Sequence, residues 1–129
     1  MAGSIPASVI MEINIPGIDA KKGLDLFEGD IDTYVVILRS YVTNVPADLD
    51  RIREVSRETL HKYAVAVHGI KGVSDAIGAE EARKTAKNLE GLAKGGDLAG
   101  VLAQNNAFIK YVENLIDDIR LWLQKHETA

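Results

Sequence analysis

The sequence predicts an all-α fold, an antiparallel four-helix bundle with a short extra N-terminal helix. Three observations carry this. Apolar residues recur at three- and four-residue spacings through most of the chain. Short breaks such as Phe27-Glu28-Gly29-Asp30 and Gly95-Gly96-Asp97 separate the periodic stretches, and helices joined by such turns pack antiparallel. Aromatic residues are only 5% of the chain, which leaves aliphatic side chains to fill the core.

At 129 residues, 47% apolar and 26% charged, the chain has the composition of one folded domain with a sizeable core. Residues 1–17 are set apart as an N-terminal extension and 18–127 as the helical domain. Pro6 and Pro16-Gly17 break structure, so no regular element is assigned to the extension. Its apolar Val9, Ile10, Ile13 and Ile15 are expected to lie over the bundle.

Asp19 caps a short helix running through Phe27, and Gly29 closes it. A second helix starts near Asp30, with Ile31, Tyr34, Val35, Leu38, Tyr41, Val42, Val45, Leu49 and Ile52 on one face. The run Tyr34-Val35-Val36-Ile37 favours a strand by propensity, but the longer helical period outweighs it. Pro46 removes one backbone donor, so a kink is expected there rather than an end. Thr59 is placed as the cap of a third helix ending near Gly78. A fourth runs from about Ala79 to Lys94 with Ala82, Ala86, Leu89 and Ala93 inward. Asp97 caps the fifth, whose seam reads Leu98, Leu102, Asn105, Ile109, Val112, Ile116, Ile119 and Leu123, with one polar member.

The third helix carries the chemistry. At about 100° per residue, Tyr63, Val67, Ile70, Ser74 and Ile77 fall within about 40° of one direction, a core-facing stripe. His68 lies roughly 140° from that stripe, Gly72 roughly 180° and Lys71 near 80°. The imidazole therefore faces water, with a cation one turn along. Gly72 costs the helix about 1 kcal/mol relative to Ala, which makes sense where something large must approach His68. Ala64, one turn before His68, and Gly72, one turn after it, together describe a steric clearing. Ser74, on the core side, is expected to pack there or to bond back to the Ile70 carbonyl.

His68-Gly69-Ile70-Lys71-Gly72, followed by Ile77-Gly78-Ala79, resembles the signature of the histidine phosphotransfer (HPt) domains of multistep two-component phosphorelays. The likeness extends from Ile15-Pro16-Gly17-Ile18-Asp19 to the last amphipathic helix. It implies an HPt-like bundle in which His68 is the phosphoacceptor: the Nε2 of a neutral imidazole, with an ordinary pKa near ~6.5, takes a phosphoryl group from a receiver-domain phosphoaspartate and gives it to another receiver aspartate. It implies response-regulator receiver domains and an upstream hybrid histidine kinase as partners, with Mg²⁺ supplied by the receiver and no cofactor in this chain. Lys71 is then placed to stabilise the phosphoryl charge, in preference to a lysine snorkelling at the core edge. Glu90 falls where family members carry a polar residue facing the histidine; orienting the imidazole and simple solvation both stand for it.

Other chemistries find little support. No hydrolase nucleophile constellation and no Gly-rich nucleotide loop is present, so the chain reads as a phosphocarrier and not a kinase. His61 shares the face of His68, but seven residues span about 10.5 Å of helix, too far for one ion, and no metal is expected. Without Cys there is no disulfide, thiolate or Cys-built zinc chemistry. A net charge of −4 with no evident basic stripe argues against nucleic acid. No run reaches membrane-span length and no signal-peptide pattern is seen, so a cytoplasmic monomer is expected. Two alternatives stay open: an HPt-like adaptor that binds receivers without phosphotransfer, and the same module within a hybrid or chemotaxis-type histidine kinase.

Overall fold

The computed structural model describes residues 13–128; Val9 and Ile10 of the extension, like Pro6, lie outside the described residues. Within that range the chain forms α1 (Ala20–Leu26), α2 (Ile31–Ile52), a 3₁₀ turn (Arg57–Thr59), α3 (Leu60–Ala76), α4 (Glu80–Lys94) and α5 (Leu98–Thr128). Helix α2 packs on α3, α3 on α4, α4 on α5, and α5 back on α2, which closes an antiparallel four-helix ring with α1 across one end. Ile13 and Ile15, in the non-helical segment before α1, are each only 3% exposed and belong to the core.

Two of the three expected caps form, at Asp19 and Asp97, and Asp30, expected only as the start of a helix, caps one as well. Asp19 accepts from the Lys22 amide at 3.1 Å, Asp30 from the amides of Asp32 and Thr33 at 3.1 and 3.3 Å, and Asp97 from Gly100 at 2.8 Å. Thr59 does not cap α3. Its hydroxyl accepts from the Ser56 amide at 2.8 Å instead, because Ser56 and Thr59 pair reciprocally around the 3₁₀ turn.

Helix α2 runs unbroken through Pro46. The carbonyl of Val42 has lost the donor a non-proline residue would supply, and the Arg120 guanidinium of α5 donates to it at 3.3 Å. Val42 and Ile31 are half-buried at the stripe's edge, while the other expected α2 positions are buried.

In α5 the expected seam shifts. Leu102 is 54% exposed, and Val101, Phe108 and Leu115 are buried beside Asn105, Ile109, Val112, Ile116, Ile119 and Leu123. The helix sits against both α4 and α2, so its inward face is wider than a two-helix seam and starts from Val101.

Tyrosines join the helices. Tyr34 donates to the Ile77 carbonyl at 2.7 Å. Tyr63 donates to Asn105 Oδ1 at 2.8 Å, and Asn105 Nδ2 donates to the Ile52 carbonyl at 2.6 Å. The α3–α4 turn needs glycine at 78: its φ is +80°, and a Cβ there would lie 2.2 Å from the Asp19 carbonyl oxygen. The Asp19 amide donates to Gly78 O at 2.8 Å, which pins the start of α1 onto the end of α3.

Candidate functional site

The core stripe of α3 is buried as its spacing requires: Tyr63, Val67, Ile70, Ser74 and Ile77 are all 2% exposed or less. Burial of that stripe turns His68 outward, with its side chain 64% exposed. Ser74 does not bond back along its own helix. Its hydroxyl pairs with that of Tyr41 at 3.0 Å, because α2 brings a buried phenol within reach.

Helix α4 lies alongside through its small residues Ala82, Ala86 and Ala93, each at most 6% exposed, and this close approach sets Glu90 beside His68. Glu90 is 4% exposed. One of its oxygens, Oε2, is 2.8 Å from His68 Nδ1 and 2.8 Å from Lys94 Nζ. The other, Oε1, accepts from Lys71 Nζ at 2.7 Å. Donation by Lys71 and Lys94 foremost, and by His68, holds the Glu90 carboxyl down at about 2, so it is ionised near neutrality.

An ionised carboxylate only accepts hydrogen bonds. His68 Nδ1 must therefore carry the proton, and the lone pair stays on Nε2 of the exposed ring. Glu90 is thus buried at hydrogen-bond distance from His68 and is not a solvated side chain. Lys71 is drawn in rather than splayed to solvent, with its side chain 27% exposed.

Gly72 is exposed, and a Cβ there would meet nothing within 4 Å. Gly69, which the sequence did not single out, is equally open. Ala64 stands differently from expectation. At 5% exposure it is buried, because α4 covers that side of α3. It lies in a shallow depression lined by His61, Val65, His68, Glu90 and Lys94. Lys94 was also missed, although it stands four residues after Glu90, the spacing of a helical ion pair.

No group of three or more His, Asp or Glu side chains converges as metal ligands among the described residues. Both oxygens of Glu90 are already committed to nitrogen donors, so this site offers Mg²⁺ no free carboxylate. Among the described residues no helix is long and apolar enough to cross a membrane.

No curated protein and no solved structure matches the chain. A family model does match: that of the Hpt domain, over residues 36–122, which takes in α3, α4 and most of α2 and α5. With the helical ring and an outward histidine on its third helix, this match establishes that the chain belongs to the Hpt domain family.

Proposed function

We propose that this chain is a phosphocarrier in which His68 takes a phosphoryl group at Nε2 from the phosphoaspartate of one receiver domain and passes it to the aspartate of another. One observation carries the reading: Nδ1 is engaged by a buried, ionised carboxylate, so Nε2 holds the lone pair on a ring open to a partner. The Nε2 pair attacks phosphorus as the acyl-phosphate P–O bond breaks and its electrons return to the aspartate carboxylate. The ring keeps its Nδ1 proton and gains positive charge, which Glu90 faces at hydrogen-bond distance. The same protonated ring is a good leaving group, so the second transfer runs by the reverse displacement.

Lys71 and Lys94, one on each Glu90 oxygen, are the cations available to the incoming phosphoryl oxygens. Gly72 and Gly69 leave room for the receiver rim. The receiver supplies Mg²⁺, and the setting is cytoplasmic.

The test is label transfer from ³²P-phosphorylated receiver domains, chosen as a panel with Mg²⁺. The label should be acid-labile and alkali-stable, as a phosphoramidate is, and absent in His68→Gln. The circular dichroism of that variant should match the parent, because the ring is mostly in solvent. Undiminished label in His68→Gln would overturn the assignment.

A further inference from the structure

The chain is acidic overall, with a net charge of −4, yet α4 builds a cationic surface that this sum conceals. At about 100° per residue, Arg83, Lys94, Lys87 and Lys84 fall in an arc of roughly 100° that begins beside Glu90. Lys84, Lys87 and Lys94 are exposed and Arg83 is half-buried. Two of the four are paired, Arg83 with Glu80 and Asp75 and Lys94 with Glu90, while Glu81 stands outside the arc, about 60° beyond Lys84. Lys84 and Lys87 form no ion pair among the described residues. The stripe runs about 16 Å along the helix and borders an open depression at Gly91, where a Cβ would meet nothing within 4 Å.

On the α3 side of His68 the surface is of another kind. Val65 is 60% exposed and Val73 41%, with Gly69 and Gly72 between them. The phosphoacceptor candidate thus sits on a seam between an uncharged, low-relief strip and a positive ridge.

We propose that the α4 ridge is the electrostatic half of a docking surface, seating the acidic rim of a receiver domain while the α3 strip takes its apolar contact. The inference rests on the reading of His68 as phosphoacceptor. A receiver that binds Mg²⁺ beside its reacting aspartate must gather several carboxylates, since Mg²⁺ takes oxygen ligands. Its rim is therefore negative. A ridge on one flank only also favours one orientation of approach. Such complementarity acts chiefly on the rate of encounter and falls with ionic strength.

The test compares Lys87→Glu with Lys110→Glu, two equal changes of net charge. Lys110 is exposed on α5 and borders the α2–α5 groove, on the opposite side of the helical ring. Using a receiver domain that loads the parent chain, the second-order transfer rate at low salt should fall about tenfold in Lys87→Glu and stay near the parent value in Lys110→Glu. The gap should close at high salt. Equal losses in both variants, or none in either, would overturn the ridge while leaving His68 as acceptor. A second measurement separates the two claims: anisotropy of a labelled, unphosphorylated receiver binding to His68→Gln, with and without Lys87→Glu. If no label ever reaches the parent yet Lys87→Glu still weakens this binding, the ridge stands and the phosphoacceptor reading falls. A short DNA duplex that binds through Lys87, with receiver binding indifferent to that residue, would make the ridge a nucleic-acid surface and overturn the proposal.

Discussion

Glu90 meets three nitrogens from a position only 4% exposed, so its charge acts on His68 with little competition from water. Removing it should release the ring. In Glu90→Ala we expect ¹⁵N chemical shifts to show the Nδ1–H tautomer of the parent giving way to a mixture. Transfer should slow by roughly 10–100-fold, on the scale of the loss when the hydrogen-bonded partner behind a metal-bound histidine is removed. A parent ring already mixed between tautomers would refute the orienting role. The same carboxyl links pH to stability. Its value falls from an ordinary 4.5 to about 2 on folding, so its contribution is present in full above 4.5 and is lost as pH falls toward 2. The melting-temperature difference between the parent and Glu90→Gln should hold steady from neutrality to about pH 5 and shrink below that; a difference growing with acidity would contradict the assigned direction. The sequence could place Glu90 near His68, but its burial depends on lysines from two helices closing over it. Lys94 could have been found from its spacing alone, whereas Lys71 reaches Glu90 only through the packing of α3 on α4.

At the scale of elements, helix identity was legible because period outlasts propensity: α2 forms through a β-branched run that locally favours a strand. What a one-helix pattern cannot show is which neighbours cover a face. Leu102 is exposed and Ala64 buried for that reason, as the positions of α4 and α2 decide both. Thr59 was misplaced because Ser56, three residues earlier, offered its hydroxyl a closer partner. Gly72 is the sharpest test at this scale, since stability and function should part there. With no heavy atom within 4 Å of a Cβ, Gly72→Gln relieves a helix cost of up to about 1 kcal/mol. Its melting temperature should stay level or rise. Phosphotransfer should drop on the order of 100-fold, because reacting atoms must come to about 3–3.5 Å and the new side chain stands in the partner's path. A lowered melting temperature would mean that Gly72 packs against something, and full transfer would mean that the clearing is unused.

For the whole molecule, the question is what fixes the relative registry of helices whose contacts are mainly aliphatic and interchangeable. Asn105, 3% exposed on α5, accepts from Tyr63 of α3 and donates to the last carbonyl of α2 at Ile52. One amide therefore joins three helices at the end of α2 that leads into α3. The seam pattern already marked Asn105 as its polar member, but its two partners lie 42 and 53 residues away and required the fold to be seen. Replacing it by Ala strands a phenol and a carbonyl, each costing about 1–3 kcal/mol when buried without a partner. Tyr63→Phe removes the phenol's need, so the pair of changes should be less damaging than the sum of the two alone. We expect Asn105→Ala to lower stability by roughly 2–4 kcal/mol in urea unfolding. The Tyr63→Phe/Asn105→Ala double variant should recover part of that loss. His68 lies more than one turn from Tyr63 along α3, so transfer at temperatures where the variants stay folded should change little. Strict additivity would show that the Tyr63–Asn105 bond contributes nothing, and a large loss of transfer in the folded variants would show that this junction, and not aliphatic packing alone, holds α3 in the register that sets His68 against Glu90.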